Sequence, residues 1–210
     1  GCLLGSWFNC CGSKRILDIG CGTGLIAIMA AQRCNATITG VEIDSKAALQ
    51  ARINADNSPW GERIGIVNCD LLEYTDEEQF DAIVSNPPYF VNSLKCDDTS
   101  RTLARHSDSL DCKAFFIKCK ELLKSDGRVS IVIPCDIMNE WRCAAFEQGL
   151  HPTRITYVRT TPKKAPKRVL IEFCFTSQGT DIESTLVLET SPGEYSNEAK
   201  GLLHDFYLKL

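Results

Sequence analysis

The residues best suited to chemistry are Asn86, Pro87, Pro88 and Tyr89, which directly follow a β-branched run in FDAIVSNPPYF. Two prolines remove two N–H donors and leave carbonyl oxygens free to face a site. A planar amino group is a weak nucleophile. Its lone pair is better placed to attack when the Asn86 side-chain oxygen and the Pro87 carbonyl accept its two N–H hydrogens. Tyr89 offers an aromatic face for stacking. The alternative interpretation is a rigid proline turn with a buried tyrosine.

A glycine-rich turn lies upstream in LDIGCGTG, where an apolar strand leads through Asp18 into Gly20, Gly22 and Gly24, and then into a helix. Glycines there allow a tight turn and let a ligand lie against bare backbone at a helix N-terminus. The carboxylate of Asp18 would repel a pyrophosphate, so the turn favours a ligand that carries an amino group, such as a methionine moiety. The alternative is that Asp18, and Glu42 after the next strand, serve only as caps.

Two further acidic positions follow the next strands. Glu42 and Asp44 end a strand in VEID about 20 residues after the glycines, where a carboxylate can accept hydrogen bonds from ribose hydroxyls. Asp70 and Leu71 follow the third strand in VNCDLLEY, where a carboxylate beside an apolar wall can accept an adenine amino group. An aspartate after a strand is more often a helix cap. Asp70 follows the glycine turn and VEID along the chain, and this order of motifs favours a ligand contact for it.

Short β-branched runs alternate with helical patterns and must position these residues. Such alternation predicts βαβ units and a parallel sheet. We expect a helix that is capped by Ser45, packs through Ala47, Ala48, Ala51 and Ile53, and ends near Asn57. Runs 154–159 and 169–175 predict a hairpin that closes the sheet edge, and EYSNEAKGLLHDFYLKL predicts a C-terminal amphipathic helix. The remaining strand-like runs are 15–19, 37–43, 64–69, 82–85 and 129–133.

Length and composition predict one globular domain over residues 1–210, because 44% hydrophobic residues suffice for a single core. Twelve cysteines occur without the spacing of a disulfide scaffold or a zinc site, so we expect reduced structural thiols and no metal. No segment resembles a membrane span or a signal peptide, which favours the cytoplasm. The chain begins at Gly1 within an apolar segment, and we expect an upstream segment to precede it.

The charge of the chain is unevenly distributed. The formal net charge is -4, yet residues 151–170 contain no Asp or Glu. A protein that is negative overall can therefore present one positive face to a polyanion. The cations in this stretch are Arg154, Arg159, Lys163, Lys164, Lys167 and Arg168.

A long polar connection over residues 91–111 carries Arg101, Arg105 and His106. Its position after the Asn86 motif predicts a lid, with Arg101 and Arg105 as contacts to RNA phosphates. Solvated loop charges are the alternative. His106 is a candidate general base, although an amino nitrogen can lose its proton to water after a group has been transferred.

LDIGCGTG, VEID, NCD and NPPYF, in this order, resemble the class I, Rossmann-like methyltransferases of the N6-adenine and N5-glutamine type. Further segments resemble the bacterial tRNA1(Val) adenine-37 N6-methyltransferases along nearly the whole chain. They are GCLLGSW, INADNSPWGERI, RTLARHSDSL, PKRVLIEF, YSNEA and FYLKL. In these enzymes an upstream segment contacts the cofactor side of the site.

The resemblance implies a three-layer α/β/α sandwich with a mainly parallel, seven-stranded sheet whose last strand is antiparallel. It implies S-adenosylmethionine as cofactor, tRNA as partner through its anticodon stem-loop, and N6 of adenine as methyl acceptor. Asn86 would then border the cofactor as well as the substrate. N5-methylation of a release-factor glutamine is an alternative that would not require the basic stretch 151–170. A catalytically silent cofactor-binding scaffold is a second alternative, against which the intact Asn86 and Tyr89 argue.

Overall fold

The computed structural model describes residues 1–88, 111–176 and 182–208. Six α-helices lie in these ranges: α1 (Cys2–Trp7), α2 (Leu25–Arg33), α3 (Ser45–Asp56), α4 (Cys112–Leu122), α5 (Met138–Glu147) and α6 (Asn197–Leu203). The strands are β1 (Arg15–Ile19), β2 (Thr37–Glu42), β3 (Ile64–Asn68), β4 (Phe80–Ser85), β5 (Leu123–Pro134), β6 (His151–Arg159), β7 (Arg168–Cys174), β8 (Ile182–Val187), β9 (Glu189–Ser191) and β10 (Glu194–Tyr195).

One large sheet organises the molecule, with the strand order β3-β2-β1-β4-β5-β7-β6-β8. β7 pairs antiparallel with both of its neighbours, and all other neighbouring strands pair in parallel. Ile19 pairs with Val41 on one side and with Ser85 on the other, so β1, β2 and β4 end in register. We call the edge at which β1 to β4 end the site edge. The mainly parallel sheet with an antiparallel seventh strand is confirmed.

The far side of the sheet differs from the expectation. An eighth strand, β8, pairs in parallel with β6, so the β6–β7 hairpin lies inside the sheet and does not close its edge. The β8 sequence IESTLV has four exposed residues before its buried Leu186. It therefore lacks the apolar alternation by which a half-buried strand is recognised.

Two helical layers cover the sheet and make the sandwich. Alternate side chains enter opposite cores: Ile16 and Val132 pack with α1 and α2, while Leu17 and Ile131 pack with α4 and α5. The core beneath α4 and α5 contains a cluster of aromatic rings. Their centroids are 5.1 to 5.8 Å apart, a separation typical of edge-to-face contacts. These rings belong to Phe115, Phe116, Trp141 and Phe173.

α3 ends at Asp56 with Asn57 as its C-cap, as expected, but its N-cap is Asp44 and not Ser45. The Asp44 side chain accepts the Ala47 N–H at 2.8 Å. The packing face also differs from the prediction, because its buried residues are Ala48, Ala51 and Ala55, while Ile53 is 45% exposed.

The chain ends pack together on one face, where α1 contacts both α2 and α6. The Arg154 guanidinium lies 3.6 Å from the centre of the Trp7 ring, and the Trp7 indole N–H donates to Thr156 Oγ1 at 3.0 Å. The predicted C-terminal helix is the shorter α6, which Ser196 caps by accepting the Ala199 N–H. In the described ranges every cysteine is a free thiol, and no helix is long and apolar enough to cross a membrane.

Candidate active site

The glycine loop, residues 20–24, connects β1 to α2 at the site edge. Gly20, Gly22 and Gly24 have φ of +66°, +55° and +84°, values that favour glycine. A Cβ built on Gly20 or Gly22 would meet no atom within 4 Å, so open space lies above the loop. At Gly24 a Cβ would come 3.3 Å from the Cβ of Ala51, because α2 and α3 approach closely there. The loop is thus shaped for a ligand on one side and for helix packing on the other.

Glu42 joins the end of β2 to this loop. Its Oε2 accepts the Gly22 N–H at 2.8 Å, and its Oε1 accepts the Asp44 N–H at 2.9 Å. The side chain of Asn68 donates to the carbonyl oxygens of Glu42 and Ile43, at 2.8 and 3.1 Å, which fixes the end of β2. The carboxylate is half-buried, and its oxygens keep lone pairs that can accept hydroxyl hydrogens.

Asp18 lies beneath the loop with 0% of its surface exposed. Neither carboxylate oxygen has a hydrogen-bond partner among the described residues. Burial raises the pKa of Asp18 to about 8. The backbone N–H of Ala27 lowers this pKa through its nearby dipole, although it makes no hydrogen bond to the carboxylate, and the charge of Glu42 raises the pKa further. A buried acid without a partner suits a cationic ligand, because a nearby positive charge stabilises its ionised form.

The end of β3 turns sharply at Asp70. Its Oδ1 accepts the Leu72 N–H at 2.9 Å, and its carbonyl oxygen accepts the N–H of Glu73 and of Tyr74, both at 3.1 Å. Leu71 is buried beside it. Asp70 is half-buried at the site edge, so the structure gives it a turn-capping role and leaves its second oxygen available.

Asn86 begins the segment after β4. Ser85 anchors this point by donating its hydroxyl hydrogen to the Ile19 carbonyl at 2.8 Å, which ties the end of β4 to the end of β1. The Asn86 Oδ1 atom is buried and has no hydrogen-bond partner among the described residues. Pro87 is buried and Pro88 is exposed. An orphaned buried acceptor is costly, and a donor on a bound molecule would satisfy it.

The loop TPKKAPKR, residues 161–168, is called the basic loop, and it also lies at the site edge. β5 and β6 run parallel to β4 and end at this edge, and β7 begins there. The Cys135 N–H donates to the Lys167 carbonyl at 3.1 Å, which holds the loop against the end of β5. Lys163, Lys164 and Lys167 are exposed.

The structure places only some of the predicted site residues. Tyr89, Arg101, Arg105 and His106 lie outside the described residues. Ile43, which the sequence did not single out, is 68% exposed immediately after Glu42. An apolar residue between two acids in VEID is the signal that points to it, because its apolar face can pack on a flat ligand at the end of β2.

A parallel sheet that carries a glycine loop, an acid at the end of the second strand that holds this loop, and an orphaned asparagine oxygen after the fourth strand defines a class I, Rossmann-like methyltransferase. The model of the family described as Methyltransferase small domain matches residues 3–141. The chain is 47% identical to the tRNA1(Val) (adenine(37)-N6)-methyltransferase of Bacteroides thetaiotaomicron, over 100% of this chain and 89% of that protein. It is 45% identical to the enzyme of the same name from Bacteroides fragilis, over 100% of this chain and 90% of that protein. The chain belongs to this family of methyltransferases.

Solved structures agree on the fold. A predicted O-methyltransferase, Atu636, from Agrobacterium tumefaciens has a TM-score of 0.78 and 20% identity, covering 97% of this chain and 94% of that one. The glycopeptide N-methyltransferase MtfA complexed with S-adenosyl-L-methionine has a TM-score of 0.59 and 11% identity, covering 78% of this chain and 88% of that one. The cofactor of this protein is S-adenosylmethionine, which the open glycine loop and the unpartnered Asp18 fit.

Proposed function

We propose that this protein transfers the methyl group of S-adenosylmethionine to N6 of adenine 37 in the anticodon loop of tRNA1(Val), using one catalytic domain over residues 1–210. The observation that carries the proposal is the orphaned Asn86 Oδ1 atom, which is held in register with the glycine loop through Ser85 and Ile19. The relatives named for this reaction match the chain along its whole length.

The cofactor supplies a methyl group on a positively charged sulfur. Glu42 would accept the ribose hydroxyls and Asp70 the adenine amino group, with Leu71 and Ile43 as apolar walls. Asp18 would ionise when the positively charged ligand binds and would balance its charge. The side chain of Asp44 caps α3, and its backbone N–H donates to Glu42. The proposed cofactor-binding residues are Asp18, Gly20, Gly22, Gly24, Glu42, Asp44, Asp70, Leu71 and Asn86.

Catalysis by the protein consists of orientation. Asn86 Oδ1 and the Pro87 carbonyl would accept the two N6–H hydrogens, which turns the nitrogen lone pair away from conjugation with the ring. Adenine inside a stacked loop is inaccessible, so the base must be flipped out, and Tyr89 would then stack against it. The N6 proton is lost to water after transfer, and no general base is required. Pro88 completes the rigid turn.

The basic loop supports an RNA substrate over a release-factor glutamine. Lys163, Lys164 and Lys167 lie at the same edge of the sheet as Asn86, where the backbone of a bound tRNA would pass. Arg168, where the basic loop enters β7, has an interaction of its own within the protein. Arg101 and Arg105, outside the described residues, remain predicted phosphate contacts. A cytoplasmic location, where tRNA is modified, accords with this assignment.

The test is methylation of a tRNA1(Val) transcript with isotopically labelled cofactor, followed by nucleoside mass spectrometry. We expect labelled N6-methyladenosine, which disappears when adenine 37 is replaced by guanine. A release factor protein carrying the glutamine acceptor serves as the alternative substrate. Label in the protein and not in the tRNA would overturn the proposal, and label in neither would favour a silent scaffold.

A further inference from the structure

A cavity of about 320 Å³ opens at the edge of the sheet opposite the site edge, where β5 and β6 begin and β7 ends. Its wall includes Arg128, Arg154, Glu172 and Cys174, which neighbour one another across three strands. The volume lies at the lower end of the range for small-molecule sites. Nothing in the methyl-transfer reaction uses these side chains.

Arg128 is the unusual member of this wall. Its Nε atom is buried and has no hydrogen-bond partner within residues 1–88, 111–176 and 182–208. Arg154, also in this wall, is engaged with Glu172 at 3.4 Å, as the half-buried Arg15 elsewhere in the fold is with Asp76 at 2.9 Å. A guanidinium that is partly withdrawn from water without an acceptor is costly, unless a ligand supplies one.

The charge on the wall favours an anion. Arg154 donates to the Trp7 carbonyl at 2.9 Å and stacks on the Trp7 ring, and its Nε has no partner in the described part of the chain. Burial lowers the pKa of Arg154. The charge of Glu172 raises this pKa. The charge of Arg128 lowers it further, because the two guanidiniums repel each other. Glu172 neutralises one of the two charges. Asp126, at the rim, is exposed and screened by water.

We propose that this cavity binds a small oxyanion, a phosphate or a carboxylate group of a metabolite, with the guanidinium of Arg128 as the principal donor. A planar guanidinium presents paired N–H groups that match two oxygens of such a group. The bound charge would relieve the repulsion between Arg128 and Arg154. A concave, half-buried wall suits a small molecule better than an RNA backbone, which requires accessible cations along a surface.

The experiment titrates the full protein with inorganic phosphate, and separately with malonate, at constant ionic strength set by chloride. Binding is followed by isothermal calorimetry and by the side-chain Nε–H resonances of the arginines. We expect saturable binding of one anion per chain and a shifted resonance that is missing in Arg128→Gln. The variant should fold, because Arg128 holds no other described group, and its affinity for the anion should fall by about tenfold or more. The stronger of the two probes identifies the phosphate or the carboxylate source.

Lys120→Gln is the matched control, because it removes one positive charge from an exposed position on α4. It should bind the anion as the unaltered protein does, and both variants should bind S-adenosylmethionine normally. Three outcomes would overturn the proposal: no saturable binding, equal loss in both variants, or a loss of tRNA affinity in Arg128→Gln, which would make the occupant an RNA phosphate. If Arg128→Gln does not fold, the Nε–H resonance of Arg128 is assigned by its absence from Arg128→Lys. The shift of this resonance during anion titration of the unaltered protein then tests the proposal.

Discussion

The carboxylate of Glu42 reaches from the end of β2 to the glycine loop and holds the Gly22 N–H at 2.8 Å. Its other oxygen holds the Asp44 N–H at 2.9 Å, so one side chain fixes both the loop and the start of α3. Glu42 therefore stands in the position proposed for ribose recognition before any ligand arrives. Such preorganisation reduces the conformational entropy that is lost when the ligand binds.

Replacing Glu42 by Gln should weaken binding of S-adenosylmethionine by about tenfold or more, or about 1.4 kcal/mol. The amide loses the charge and one acceptor oxygen, so it cannot satisfy both backbone N–H groups and the ribose hydroxyls together. Isothermal calorimetry measures the affinity. Glu183→Gln, on the far edge strand, removes the same charge and should bind normally. Equal affinities in the two variants would exclude Glu42 from cofactor binding.

The pKa of Asp18 predicts a pH-dependent stability. The acid titrates at about 8 in the folded protein and near 3.8 in the unfolded chain, so the folded state binds the extra proton between these values. The free energy of unfolding should therefore fall as pH rises from about 4 to 8. Asp18→Asn should remove this part of the pH dependence. The melting temperature of the variant minus that of the unaltered protein should therefore increase from pH 5 to pH 8.5. Thermal denaturation at a series of pH values measures it.

Asp56→Asn is the control for this experiment, because Asp56 is exposed at the end of α3. It should preserve the pH dependence of the unaltered protein. The same Asp18→Asn variant should bind S-adenosylmethionine more weakly, because the ligand is positively charged. A variant that keeps both the original pH slope and the original affinity would contradict the role given to the Asp18 carboxylate.

Asn86→Ala should lower turnover by about 100-fold or more, the range for removal of one preorganised polar group at a reaction centre. Affinity for the cofactor should change much less, because the Asn86 oxygen acts on the substrate amine. Single-turnover methylation of tRNA separates the two effects. Asn197→Ala, at the exposed start of α6, should behave as the unaltered protein does. Near-normal turnover of Asn86→Ala would remove this residue from the mechanism.

Reversing Lys163 and Lys164 to Glu should weaken tRNA binding and flatten its salt dependence by about one unit of slope per lost phosphate contact. Affinity for S-adenosylmethionine should be unchanged. The measurement is tRNA affinity as a function of salt concentration. The control is the pair Lys14→Glu and Lys120→Glu, which makes the same charge change at exposed positions away from the basic loop. If both double variants lose affinity equally, net charge and not the basic loop accounts for the effect.

The sequence predicted the glycine turn more accurately than the outer sheet, for a physical reason. Gly20, Gly22 and Gly24 have backbone angles that other residues rarely adopt, so their spacing alone indicated the turn. β8 offers no such constraint, because it is an edge strand whose side chains are mostly exposed. Its pairing with β6 arises from backbone hydrogen bonds and tertiary packing, which a pattern of apolar residues does not record.

Small local errors have equally local causes. Asp44 and Ser45 are adjacent and both can cap a helix, and the choice depends on where helical angles begin. Asp44 has an extended backbone, with φ of −75° and ψ of 116°, so it precedes the first turn. Ile43 would ordinarily be assigned to a core from its residue type, yet it is exposed because β2 ends at Glu42. Residue type alone determines neither position, because both depend on where a strand ends and where a helix begins.

The hydrogen bond from Ser85 to Ile19 joins residues 66 positions apart in the chain, at the centre of a parallel sheet. Contacts of such high sequence separation form slowly, because a long loop must close before they contribute any stability. The glycine loop and Asn86 come to the same edge of the sheet only when this central strand pair exists. We therefore expect the ability to bind S-adenosylmethionine to appear late in refolding, after the helices have formed. A cofactor added to the folding chain would accelerate no early step and would stabilise only the final one.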